Sequence, residues 1–194
     1  AVFKQDKAFD ILVVDDNSPD LTGSRVAQLK KEFSKQLFLE VRNEKFGLGT
    51  AYIHGFKWCL DKGYRYIFEM DADFSHNPND LIRLYDACHL NGADVAIGSR
   101  YIKGVNVVNW PLGRVILSYL ASIYVRLITG MSIRDTTAGF ICYKREVLEN
   151  LDLHQIKFVG YAFQIEMKFK AYLKAYKMIE VPVIFTDRTK GESK

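Results

Sequence analysis

Three times before residue 93 the chain runs through a short apolar stretch, breaks into a polar loop and continues as an amphipathic stretch. The apolar runs are Ile11–Val14, Phe38–Val41 and the start of Tyr64–Pro78, and a fourth follows at Asp94–Ile97. Runs of four to eight apolar residues alternating with helical periodicity predict buried parallel strands joined by crossover helices. The expected helices cover Leu21–Phe33, Thr50–Lys62 with Gly63 as its C-cap, and a third that Asn77 caps, Pro78 opens and Gly92 closes. The fold class this predicts is α/β: one doubly wound, mostly parallel sheet flanked by helices. After residue 102 the pattern changes to a loop over Lys103–Leu112 and a nearly all-apolar helix over Val115–Thr129. A strand over Ile141–Lys144, a loop and helix within Phe158–Ala175, a last strand over Met178–Phe185 and a basic tail complete it.

The 194 residues suffice for one domain with a sizeable core, and 48% hydrophobic with 26% charged residues is ordinary for a globular chain. A net charge of +4 gives no basis for nucleic-acid binding, but is compatible with anionic substrates or an anionic membrane surface. Cys59, Cys88 and Cys142 have no metal-ligand spacing, which predicts free thiols in a reducing compartment. Neither a signal peptide nor an uninterrupted apolar run of about 20 residues is visible.

The acidic loops fall where strands end, the usual ligand edge of an open α/β sheet. In Tyr64–Pro78 an aromatic strand gives way to Asp71 and Asp73, whose i, i+2 spacing in extended chain points both carboxylates one way. Two carboxylates there suit a hard divalent cation bridging phosphate oxygens, and equally an acidic loop capping the next helix. Asp15 and Asp16 close the first strand, placed to hydrogen-bond a base or ribose. Gly47-Leu48-Gly49 precedes a helix, and a plain helix start explains it better than a phosphate cradle. His76 reads as a loop histidine near Asp73. Arg100, Arg114 and Arg188 sit at element ends, where a planar guanidinium can grip phosphate in two places. Trp110, Tyr119 and Tyr124, with Arg114 and Arg126, give the 115–129 helix the make-up of a membrane-interface element as much as of a core helix too short to span. A signalling receiver domain opens with a similar acid pair, but it needs a later Lys before Pro that this chain lacks.

Taken together these segments resemble the dolichyl- or polyprenyl-phosphate mannosyltransferases, inverting glycosyltransferases with the Rossmann-like GT-A fold. The resemblance rests on Val-Val-Asp-Asp-Asn-Ser-Pro-Asp (13–20), Gly-Leu-Gly-Thr-Ala-Tyr (47–52), Met-Asp-Ala-Asp-Phe-Ser-His-Asn-Pro (70–78) and Gly-Ser-Arg-Tyr (98–101). Asn-Trp-Pro-Leu-x-Arg (109–114), Asp-x-Thr-x-Gly-Phe (135–140), Gly-Tyr-Ala-Phe-Gln-Ile-Glu-Met (160–167) and Asp-Arg-x-x-Gly-Glu-Ser-Lys (187–194) extend it in family order. It implies that residues 1–194 form one catalytic domain moving mannose from GDP-mannose to a polyprenyl phosphate, peripherally on the cytoplasmic face of a membrane. Glucosyl transfer from UDP-glucose is the alternative within the class; a nucleotide-sugar-binding or receiver-type module without turnover is the alternative outside it. The resemblance implies that Asp71 and Asp73 hold a Mg²⁺ or Mn²⁺ ion with the donor diphosphate, Ser75 standing as a weaker third ligand where the family often has Gln. It implies that Asp15 and Asp16 contact the nucleoside, Arg188 and Lys194 the diphosphate, and Arg100 and Arg114 the acceptor phosphate. Asp73, Arg100 and Arg114 are thereby the expected catalytic set. Two departures stand out: Ala138 replaces a family glycine, and the family's first strand and helix, central to its sheet, have no counterpart here.

Overall fold

The computed structural model describes residues 1–187. Expected donor residues Arg188 and Lys194 lie outside them. Three strands and three helices alternate at the start of the chain: β1 (Ile11–Asp15), α1 (Thr22–Glu32), β2 (Leu37–Val41), α2 (Leu48–Asp61), β3 (Tyr66–Glu69) and α3 (Asp80–His89). They are followed by β4 (Val95–Ser99), β5 (Val107–Val108), α4 (Leu112–Thr129), β6 (Ile141–Lys144), α5 (Arg145–Asn150), α6 (Ala162–Leu173), β7 (Met178–Pro182) and β8 (Phe185–Thr186).

The strands form a four-stranded sheet in the order β3-β6-β4-β7 and two pairs, β1-β2 and β5-β8. Among the described residues three of the five pairings are parallel; β6 runs against both β3 and β4. Side chains alternate across β4 and β6. Val95, Ile97, Ile141 and Tyr143 enter one core, with Phe56 of α2, Val147 and Leu148 of α5 and Phe163 and Met167 of α6. Ala96 and Cys142 enter the other, with Leu81, Leu84 and Cys88 of α3. The result is an α/β/α layering that presents the strand ends to one rim. All three cysteines are free, Cys88 and Cys142 within the core and Cys59 half-buried.

Several expected elements shift. β1 is only half-buried rather than a core strand, because among the described residues it pairs with β2 alone. α3 starts two residues late: the Asn77 side chain takes the Asn79 N–H at 3.0 Å, and a tight turn through Pro78 precedes the helix. The last strand breaks after Pro182, which has no N–H to continue a ladder, into β7 and β8. Helix α4 departs most. It runs 18 residues, three more than expected, and is long and apolar enough to cross a membrane by length and composition. Only Ser122 of it is buried. It lies on the domain through small hydroxyls, Tyr101 donating to Ser118 Oγ at 2.8 Å and Thr136 to Ser122 Oγ at 3.3 Å, while Leu117, Leu120, Leu127 and Ile128 face outward. Its apolar side is therefore not core.

Candidate active site

The helix α2 ties the two acidic loops together. At the end of β1, Asp16 receives both prongs of Arg42 at 2.6 and 2.7 Å, and Arg42 also donates to Thr50 Oγ1 in the first turn of α2. Asp15 is buried, its Oδ2 accepting the Ser18 N–H at 3.3 Å. One turn along α2, Tyr52 donates to Asp71 Oδ1 at 3.0 Å. Burial, then the charges of Asp71 and Glu69, push the Tyr52 phenol well above its ordinary value, so it stays a donor.

β3 stops at Glu69, so Asp71 and Asp73 lie on a bent loop and the extended-chain argument for their alignment does not apply. Asp71 reaches toward Tyr52 and His76, whose Nε2 is 3.8 Å from its Oδ2. Asp73 folds onto its own turn, accepting the Ser75 N–H at 3.0 Å. Between them and Ser75 the chain turns through Phe74, 90% exposed with φ of +64°, a costly backbone for an aromatic residue. His76 is not a solvated loop residue: it is buried against Phe140 and Phe185, and among the described residues neither ring nitrogen has a hydrogen bond. The buried Ser75 hydroxyl also lacks a partner among the described residues. Among the described residues no three His, Cys, Asp or Glu side chains close into a cation cage. Two carboxylates beside buried, unpaired hydroxyl and imidazole groups still fit a hard cation that takes its remaining ligands from a diphosphate.

The strand β8 joins this loop to the arginines. Thr186 N–H donates to the Ser75 carbonyl at 3.1 Å, the Phe185 ring lies 5.3 Å from His76 and 5.4 Å from Trp110, and Asp187 pairs with Arg114 at 3.0 Å. Arg100 and Arg114 both lie against the Trp110 ring, at 5.3 and 4.1 Å. The two expected phosphate-binding arginines are thus brought together, but unequally. Arg114 is half-exposed. Arg100 is 9% exposed, and its Nε and Nη2 are spent on fully buried Asp135 at 2.7 and 2.6 Å, with Thr137 Oγ1 2.9 Å from Nη2. Burial alone would lower the Arg100 pKa; the Asp135 hydrogen bonds and charge outweigh it and hold the guanidinium charged.

Beneath the acidic loop, Glu69 and Lys168 are both fully buried. Burial pushes the carboxyl up to about 8 and the ammonium down to about 8, and attraction between them limits both shifts. Lys168 donates to the Ala138 carbonyl at 2.6 Å, bracing the segment that carries Asp135, and the Ala138 methyl packs in the core. Asp135 opens the Asp-x-Thr-x-Gly-Phe segment (135–140), but no role was attached to it; Arg42 and Lys168 were not singled out from sequence, and only the inward register of Lys168 on α6, four residues after Gln164, offered a local signal.

The Gly47–Gly49 corner is a packing device. Gly49 N–H donates to the Val159 carbonyl, and a Cβ on Gly49 would stand 2.8 Å from the Phe163 ring and 2.9 Å from the Phe158 carbonyl. Gly49→Ala is expected to lower stability by about 1–3 kcal/mol, the usual cost of overpacking, as read from urea unfolding. Glu166 holds the same corner: its Oε2 accepts the N–H groups of Lys157 and Phe158 at 2.9 and 3.0 Å. Glu166→Gln keeps a carbonyl oxygen for them and should leave stability and turnover nearly intact. Glu166→Ala should cost about 1–3 kcal/mol through the two orphaned donors, checked by the same unfolding curve.

An α/β domain whose rim gathers acids and guanidinium groups in this way is built like a glycosyltransferase. The family model of Glycosyl transferase family 2 matches residues 1–152, and the chain belongs to that family. It is 47% identical over 184 residues to the polyprenol monophosphomannose synthase of Mycolicibacterium smegmatis, covering 95% of this chain and 69% of that protein. It is 43% identical over 185 residues to the undecaprenyl-phosphate mannosyltransferase of Micrococcus luteus, covering 95% and 75%. A solved glucosyl-3-phosphoglycerate synthase from Mycobacterium tuberculosis, in complex with Mn²⁺, UDP and glucosyl-3-phosphoglycerate, shares the GT-A-like fold. Its TM-score is 0.67 at 14% identity, over 95% of this chain and 62% of that one.

Proposed function

We propose that the chain transfers mannose from GDP-mannose to a polyprenyl phosphate with inversion at the anomeric carbon. The names of the relatives at 47% and 43% identity support mannose and a polyprenyl phosphate. The observation that carries the reading onto this chain is the contact chain Ser75–Thr186 and His76–Phe185–Trp110, which sets the acidic loop beside two arginines.

Asp15, Asp16 and the tail residues Arg188 and Lys194 would hold the donor, Asp16 acting through the Arg42 fork that already occupies it. Bound by Asp71 and Asp73, with Ser75 nearby, a Mg²⁺ or Mn²⁺ ion would supply positive charge to the departing diphosphate. An acceptor phosphate oxygen bonds to the anomeric carbon as the carbon–oxygen bond to GDP breaks, its electron pair leaving with GDP. The centre passes through an oxocarbenium-like state. A phosphate monoester, with its second pKa near 6, is already largely dianionic at neutral pH, so no protein base is required. Glu166, engaged by two backbone N–H groups, is not one. Arg114 aims the acceptor phosphate; Arg100, locked to Asp135, fixes the Trp110 wall and lends charge from behind it. Helix α4, apolar side outward, lies on the membrane surface that carries the acceptor.

The test is a thermal-shift series with GDP, UDP, GDP-mannose and UDP-glucose, with and without Mn²⁺, because a ligand bound only by the folded state raises its apparent stability. Metal-dependent stabilisation by GDP-mannose is expected. Stabilisation by UDP-glucose alone would overturn the choice of donor.

A further inference from the structure

Where α4 meets the loop after it, a cavity of about 310 Å³ is lined by Tyr119, Ile123, Arg126 and Arg134. Its Arg126 lies twelve residues, about 18 Å, along α4 from Arg114, while its Tyr119 wall packs on Tyr101 beside Arg100, so the cavity adjoins the arginine end of the site but brings two further cations of its own, Arg126 and Arg134. Arg126 Nε is buried with no hydrogen-bond partner, and among the described residues neither Arg126 nor Arg134 has a carboxylate within ion-pair distance of its side chain. Among the described residues the Arg134 guanidinium donates to the Ile102 carbonyl alone, while the nearby Glu180 carboxylate is taken by the backbone N–H groups of Arg134 and Asp135. A desolvated guanidinium edge without an acceptor is costly; the Arg126 edge, with the exposed Arg134 guanidinium and the Tyr119 ring beside it, forms a complementary site for an anion. Leu120, Leu127 and Ile128, 55–80% exposed, flank it on the same helix, so any anion entering would come from the phase that covers those side chains.

We propose that this cavity binds the phosphate headgroup of an anionic membrane phospholipid, fixing the depth and rotation of α4 on the bilayer. Arg126 and Arg134 grip the headgroup oxygens, Tyr119 lies alongside them, and the acyl chains continue over the exposed leucines. The inference rests on α4 lying on the membrane, and the test separates the two.

Binding of the full chain is measured to vesicles of phosphatidylcholine alone and of phosphatidylcholine with a minority of phosphatidylglycerol. Wild type is expected to bind both, and the anionic vesicles at least about tenfold tighter. Two basic residues lost anywhere near the surface weaken such binding by about fivefold each, enough together to erase a tenfold preference without any specific site, so the control keeps the charge. Arg126→Gln with Arg134→Gln should remove nearly all of the anionic preference while leaving neutral binding and the melting temperature unchanged. Arg126→Lys with Arg134→Lys, which keeps both charges but not the guanidinium forks, should lose most of the preference as well. An intact preference in the lysine double variant, or no anionic preference in wild type, would overturn the headgroup site while α4 keeps its place on the membrane. Binding to neither vesicle, with α4 covered by a second copy in sedimentation, would overturn both.

Discussion

Asp73→Ala is expected to lower mannosyl transfer by at least about 10²–10³-fold, the scale on which one oriented charge at a developing anion acts, with the fold intact. The structure separates these two effects. Asp73 is half-exposed and its hydrogen bond goes to its own turn, the Ser75 N–H, so removing it loosens one loop and costs about 1 kcal/mol or less. Asp71 differs: it is the acceptor for the buried Tyr52 hydroxyl, and Asp71→Ala should lose stability along with rate. The measurement is kcat beside the melting temperature of each variant. An Asp73→Ala protein with wild-type turnover would remove the acidic loop from the chemistry.

The second large effect is expected at a residue that touches no substrate in this account. Asp135 is fully buried and takes three N–H groups of Arg100, two from the guanidinium and one from the backbone at 2.9 Å. Asp135→Ala strands that guanidinium, and breaking one side of a buried pair costs about 3–5 kcal/mol. Arg100→Ala should cost a similar amount and lose transfer because the Trp110 wall shifts. Arg114→Ala, at a half-exposed surface pair with Asp187, should change stability by less than about 1 kcal/mol yet lose transfer comparably. Urea unfolding set beside kcat/KM distinguishes the two arginines. Equal stability losses at both positions would contradict the division of labour between them.

The strand and helix alternation was legible because each unit carries its own period: β6 falls on Ile141–Lys144 as the apolar run implies, and α2 and β4 end within two residues of expectation. The positions of the acidic loop and of Arg100 at strand ends were legible, while Arg114, expected just before a helix, stands in the first turn of α4. What Arg100 bonds was not legible, because Asp135 is 35 residues away and such pairings leave no local pattern. Nor did the sequence distinguish the two sides of α4. An all-apolar helix reads the same inside a core or outside it, and only Ser118 and Ser122, meeting Tyr101 and Thr136, show which side faces the protein. The short helix α5 has too few turns to display a period. His76 looked solvated because its burial comes from Phe185, more than a hundred residues later.

In the proposed reaction the loop of Asp71 and Asp73 and the arginines around Trp110 act on one donor and one lipid phosphate. Its most direct test is incubation of the chain with GDP-mannose labelled in the sugar, a polyprenyl phosphate and Mn²⁺ or Mg²⁺, followed by extraction into organic solvent. Labelled mannosyl lipid that disappears with chelator, with Asp73→Ala and with Arg114→Ala is the predicted result. No labelled lipid despite demonstrated GDP-mannose binding, or undiminished product from both variants, would contradict it.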